Sequence, residues 1–148
     1  MVESRIQIRR AEPSDIGSIV SLAHQLGYPE SRDDMELRLE RLMLDPDHSV
    51  LVAVLNPHGV IGWAHVLMRV SLLEEPMVEI GGLIVEQNHR RKGIGRKLIQ
   101  AVEQWAQSKG CSRVVVRSNV VRKEAHDFYP NLGYQLSKTQ RVYTKMTG

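Results

Sequence analysis

The segment His89-Arg90-Arg91-Lys92-Gly93-Ile94-Gly95-Arg96-Lys97 gathers five basic side chains around two glycines. Arginine and lysine bring positive charge and hydrogen bonds to oxyanions, and glycine lets a ligand approach backbone N–H groups closely. Directly after the glycines, Ile94, Leu98, Val102 and Trp105 recur with helical spacing. The unpaired donors and positive dipole end of such a helix would complete a site for a phosphate chain. Two familiar phosphate motifs do not fit. The P-loop places four residues between its glycines, but one residue separates Gly93 from Gly95, and the dinucleotide fingerprint needs a third glycine where Leu98 stands. What remains is Arg90-x-x-Gly93-x-Gly95, which also reads as a solvated basic turn capping a helix.

A strand must deliver the chain to that loop, and Met77 to Val85 is the candidate, with Gly81-Gly82 inside it. Paired glycines in a strand mark a bulge or a close approach by another backbone or a ligand. Upstream, Arg5–Arg10 alternates as a half-buried strand, and Ile16, Ile19, Val20, Ala23 and Leu26 trace a helix that stops at Gly27. Ser31 to Asp34 has the capping-box pattern, opening a second helix through Met35, Leu39, Leu42 and Met43. Val50–Leu55 and Val60–Met68 form a hairpin around Asn56-Pro57-His58-Gly59. Past the glycine loop and its helix, which ends near Gly110, come a strand at Arg113–Arg117 and a short helix at Glu124–Leu132. A final antiparallel pair is expected at Tyr134–Leu136 and Arg141–Met146. Strand, helix, strand implies one parallel, right-handed step. The expected fold is α/β: a mixed, mostly antiparallel central sheet with flanking helices, in a single domain over residues 1–148.

Charge narrows the partners. Removing the five basic residues of the loop from the chain's 20 leaves 15 against 17 acidic ones, so the excess positive charge is local. A nucleic-acid binder spreads basic residues over a face, so no nucleic acid is expected. One cysteine, Cys111, excludes an internal disulfide framework and suits a reducing compartment as a small packed side chain. No segment has the length of a membrane span or a signal-peptide core, so a cytoplasmic protein without membrane contact is expected. The six histidines and the carboxylates show no metal-ligand spacing, so no metal is expected. His65 and His126 read as structural or merely polar residues.

The residues now assembled resemble the GNAT superfamily of acyl-CoA-dependent N-acyltransferases. Val85-x-x-x-x-Arg90-Arg91-Lys92-Gly93-Ile94-Gly95 is similar to its coenzyme-A motif. Ser118-Asn119 and Ala125-His126-x-Phe128-Tyr129-x-x-Leu132-Gly133-Tyr134 are similar to its second motif, and the likeness runs from about Glu79 to Lys145. The resemblance implies a bulged strand before the loop that splays from its parallel neighbour and leaves a gap for pantetheine. It implies that the backbone of Leu83, Ile84 and Val85 pairs with the pantetheine amides. N–H groups from Arg91 to Arg96 would hold the pyrophosphate, with Asn119 touching the cofactor. Tyr129 would be the general acid, although Pro130 directly after it threatens to kink or end the helix there. Glu79 would be the base in some members, or a plain strand-surface carboxylate, and a backbone N–H near Leu83 would polarise the thioester carbonyl.

The implied function is transfer of an acetyl group from acetyl-CoA to a primary amine of a small molecule, by direct attack in a ternary complex. A protein or peptide amine as acceptor, and a non-catalytic acyl-CoA-binding domain, are the alternatives. Acceptor contacts would come from Tyr28 and Glu30 between the first two helices, and from the segment Arg69–Pro76; each residue also reads as an ordinary turn or loop residue. The family likeness is compatible with a homodimer, for which no interface is legible in these residues.

Overall fold

The computed structural model describes residues 5–117 and 123–148. These form two compact units on either side of the Arg117–Ser118 junction. The first holds strands β1 (Gln7–Arg10), β2 (His48–Val54), β3 (Val60–Arg69), β4 (Met77–Val85) and β5 (Val114–Val116), with helices α1 (Ile16–Gln25), α2 (Arg32–Met43) and α3 (Ile94–Ser108). The strands lie in sequence order, antiparallel from β1 to β4, and β5 runs parallel to β4 after the α3 crossover.

Alternation along the strands sends side chains to two opposite faces. On one face Val50 and Val52 pack with Ile16, Ile19, Val20 and Leu39 of α1 and α2, against a half-buried Trp63. The Trp63 indole N–H donates to the Ile19 carbonyl at 3.2 Å, tying β3 to α1. On the other face α3 lies against β3, where a Cβ at Gly62 would stand 3.4 Å from both Ile94 and Leu98. Leu98, Ile99 and Val102 are fully buried there. The helix ends are those expected: Gly27 takes φ +85° after α1, and Ser31 Oγ accepts from the Asp34 N–H at 3.1 Å to start α2.

An ion pair invisible in the sequence fastens the first strand. Arg9 grips the buried Asp15 through two bonds of 2.8 and 3.0 Å, and Asp15 also accepts from the Glu12 N–H at 2.7 Å. The Arg9 guanidinium is the main reason the Asp15 carboxyl lies below its usual range.

Two features of β4 decide the site. Its pairing with β3 jumps from His65↔Gly82 to Val66↔Ile80, so Gly81 is the extra residue of a bulge. Its pairing with β5 covers only Val78↔Val114 to Ile80↔Val116 and stops one residue before that bulge. Gly81 to Val85 therefore have no strand on their outer edge among the described residues.

The second unit is built on α4 (Lys123–Asn131). Pro130 occupies its last turn, and bonds from the Leu132 and Tyr134 N–H groups to the Tyr129 carbonyl, both 3.0 Å, close the helix before Gly133 at φ +90°. The antiparallel pair expected at Tyr134–Leu136 and Arg141–Met146 is absent: residues 134–148 form no strand. Leu136, Val142, Tyr143 and Met146 are 84–87% exposed, so their apolar spacing has no buried face to serve.

Candidate active site

After Val85 the chain makes a short 3₁₀ turn, Gln87–His89, and then enters the basic loop. Arg91 takes φ +64° and Gly93 φ +81°, so left-handed residues alternate along it. Such alternation turns successive N–H groups inward as an anion-binding nest. A non-glycine residue pays about 1–2 kcal/mol for this conformation, and Arg91 holds it all the same. Gly93 is the N-cap of α3, and no side chain caps that helix. The first helical bond runs from the Lys97 N–H to the Gly93 carbonyl at 3.1 Å, which leaves the N–H groups of Ile94, Gly95 and Arg96 without helical acceptors. Arg90, Arg91, Lys92 and Arg96 are exposed around them, and Arg90 folds back with its Nε 3.4 Å from the Val85 carbonyl. Donors and charge thus converge where β4 hands over to α3.

The edge of β4 that is unpaired among the described residues leads away from this nest. Among the described residues, Leu83, Ile84 and Val85 are paired with β3 along one side only, while Ile84 anchors the strand among Leu22 and Ala23. A chain carrying amide groups could add to the open edge as a strand would. The edge runs back to the bulge, where side chains of β3 lie close over both glycines. A Cβ on Gly81 would stand 2.9 Å from His65 Nδ1, and one on Gly82 would stand 3.1 Å from the Trp63 ring.

The face of the bulge shared with α1 and α2 carries the ionisable groups. Glu79 is largely buried, and its Oε1 receives hydrogen bonds from Arg69 at 2.9 Å and Arg117 at 2.7 Å. His65 Nε2 lies 3.0 Å from His48 Nδ1. In the second unit, the Tyr129 ring meets Phe128 and Tyr134 edge-on, at 5.0 and 5.8 Å. Burial pushes the Tyr129 phenol up to about 12, so it keeps its proton at neutral pH. Glu30 pairs with Arg38 at 3.2 Å, its carbonyl lies 2.7 Å from His24 Nε2, and Tyr28 is 41% exposed beside it. Asn119 lies outside the described residues.

The acetyltransferase (GNAT) family model matches residues 15–134. The chain belongs to the GNAT family. It is an N-acetyltransferase that draws its acetyl group from acetyl-CoA. The aminoglycoside N(6′)-acetyltransferase type 1 of Stenotrophomonas maltophilia is 27% identical over 96% of this chain and 93% of its own length. The thialysine N-epsilon-acetyltransferase of Bos taurus is 29% identical over 88% of this chain and 84% of its own. Among solved structures, AAC(6′)-Iy in complex with the bisubstrate analogue CoA-S-monomethyl-acetylneamine shares the fold, with a TM-score of 0.86 at 22% identity over 96% of this chain and 99% of that one.

Sequence patterns had placed the loop, the strand before it and the glycine pair. They missed the arginines on Glu79 and the partners of His65. Arg69 and Glu79 are ten residues apart and Arg117 is 38 further on, so no local spacing joins them. The available signal was alternation: Trp63, His65 and Leu67 share one face of β3, and Trp63 marks that face as the α1 side.

Proposed function

We propose that this enzyme acetylates a primary amine of a small molecule, with the nest at Arg91–Arg96 holding the pyrophosphate of acetyl-CoA and the open edge at Leu83–Val85 holding the pantetheine amides. The observation that carries this reading is the combination of uncapped α3 donors with a β4 edge that β5 leaves unpaired at the bulge. Bound acetyl-CoA supplies an activated acetyl carbonyl and a thiolate leaving group. Backbone N–H groups at the bulge, near Leu83, polarise that carbonyl. Tyr129, protonated at neutral pH, is the donor for the departing sulfur. The amine approaches along the α1 and α2 face, where Glu79 and His65 are the candidate acceptors of its proton and Tyr28 and Glu30 border the entry. Asn119 contributes to cofactor binding from beyond β5.

The named relatives support a small acceptor, since one is an aminoglycoside N(6′)-acetyltransferase and the other a thialysine N-epsilon-acetyltransferase. Free, buried Cys111 accords with work in the cytoplasm. The test is thiol release from acetyl-CoA in the presence of neamine, thialysine, or a lysine-containing peptide. Turnover with either small amine and not the peptide is expected. Release with the peptide alone would move the acceptor to proteins, and acetyl-CoA binding without release from any of the three would indicate a non-catalytic binding domain.

A further inference from the structure

We propose that His65, backed by His48 and Asp45, accepts the proton of the acceptor amine and passes it toward solvent; this rests on the acetyl-transfer reading above. Three observations carry it. First, the His65 ring lies on the bulge itself, its Nδ1 occupying the space a Cβ of Gly81 would need, at 2.9 Å from that position. Gly81 is exposed and, among the described residues, has no strand on its outer side, which puts this nitrogen at the mouth of the proposed acetyl site. Second, the opposite nitrogen of the ring, Nε2, is 3.0 Å from His48 Nδ1, and the two rings are within 12° of parallel. Third, His48 Nε2 lies 3.7 Å from Asp45 Oδ2, whose side chain is half exposed. The three side chains form a line from the bulge to the surface.

The proposed relay uses one pair of tautomers. With the His48 Nε2–H toward the Asp45 carboxylate, His48 Nδ1 is an acceptor and takes the His65 Nε2–H. His65 Nδ1 is then bare and faces the bulge. The neighbouring carboxylate, Glu79, is already engaged by two guanidinium groups, Arg69 and Arg117, both on Oε1. Desolvation first, and His48 second, lower the pKa of His65, while Glu79 opposes them, so the ring is neutral and able to accept a proton at pH 7.

The balance closes without a further reagent. The ammonium form of the acceptor loses one proton to His65 Nδ1, and His65 Nε2–H moves to His48, whose proton leaves beside Asp45. The amine nitrogen bonds to the thioester carbon, the C–S bond breaks, the nitrogen sheds its second proton, and the thiolate takes up one. One proton is released per turnover.

The test compares wild type with His65→Gln, His48→Gln and Glu79→Gln, using acetyl-CoA with neamine or thialysine, whichever turns over, between about pH 6 and 9.5. His65→Gln should lower kcat/KM by roughly 10²–10⁴-fold near neutral pH. The deficit should shrink about tenfold per pH unit as the amine loses its own proton in solution. His48→Gln should show a smaller loss with the same pH trend. An undiminished rise in the midpoint of thermal unfolding on adding acetyl-CoA certifies that each variant is folded and binds its cosubstrate. A wild-type rate in His65→Gln, or a loss constant across pH, would reduce the ring to packing against Gly81 and overturn the relay. A pH-rescued loss in Glu79→Gln with none in His65→Gln would give the base to Glu79. Either result leaves acetyl transfer standing, whereas a wild type that turns over no amine removes that reading and the relay together.

Discussion

Replacing Gly93 by valine perturbs the fold and the proposed phosphate site by separable amounts. Gly93 sits at φ +81° as the N-cap of α3, a conformation that costs an L-residue about 1–2 kcal/mol, toward the upper end for a β-branched one. In a domain of this size that is a fall of roughly 3–8 °C in the midpoint without ligand. Acetyl-CoA acts through mass action. At about 1 mM ligand and micromolar affinity it should add about 4 kcal/mol to the wild type, an upward shift of roughly 8–16 °C. Gly93 directly precedes the free N–H groups of Ile94, Gly95 and Arg96, and if the added isopropyl group weakens affinity a hundredfold, only about 1.4 kcal/mol of that gain would remain. Calorimetry or dye-monitored unfolding, with and without acetyl-CoA, reads both quantities, and Gly93→Asn provides the control because asparagine tolerates the left-handed region. An unchanged midpoint without ligand would refute the conformational argument. A lowered midpoint with the full ligand shift would refute the assignment of the loop to the phosphates.

Three other outcomes are expected. Asp15→Asn should cost about 1.5–3 kcal/mol at pH 7, the range for a hydrogen bond to a charged group. Because the folded carboxyl titrates below its unfolded value, its contribution is complete above the ordinary carboxylate range and fades as pH falls through the folded pKa. Urea unfolding at pH 7 and pH 3 should therefore show the two proteins converging in acid, and a constant gap would contradict the ion pair. Tyr129→Phe should lower turnover while leaving the acetyl-CoA-induced midpoint shift intact, and the wild type should show no loss of its proton donor below about pH 10, given a phenol near 12; unchanged turnover would remove the tyrosine from the acid role. Leu98→Ala, at a side chain fully shielded between α3 and Gly62, should cost about 2–5 kcal/mol in denaturant unfolding, and a cost below about 1 kcal/mol would mean that α3 is not seated on that face.

Much of the scaffold was legible because its signals are local. Met77–Val85 was expected as a strand and is one, Gly81-Gly82 was expected to mark a bulge and does, and Ser31 caps its helix through the residue three positions on. Each of these rests on neighbours within a few residues, where spacing and side-chain chemistry suffice. The C-terminal pair misled because alternation at Arg141–Met146 states which residues could share a face and says nothing about whether a partner edge is present.

By itself, the order of residues determined that an anion-binding turn joins a strand to an amphipathic helix, and the two spaced motifs determined the family. Both are properties of contiguous segments. Only the tertiary structure decided which charges meet. Pairing of β2 with β3 brought His48 to His65 across 17 positions, and among the described residues β4–β5 pairing stops after Ile80, leaving an edge beside them. The same sheet set Arg69 and Arg117 on one oxygen of Glu79. Strand register selects those partners, and register is set by the burial of both sheet faces at once, which no single segment encodes.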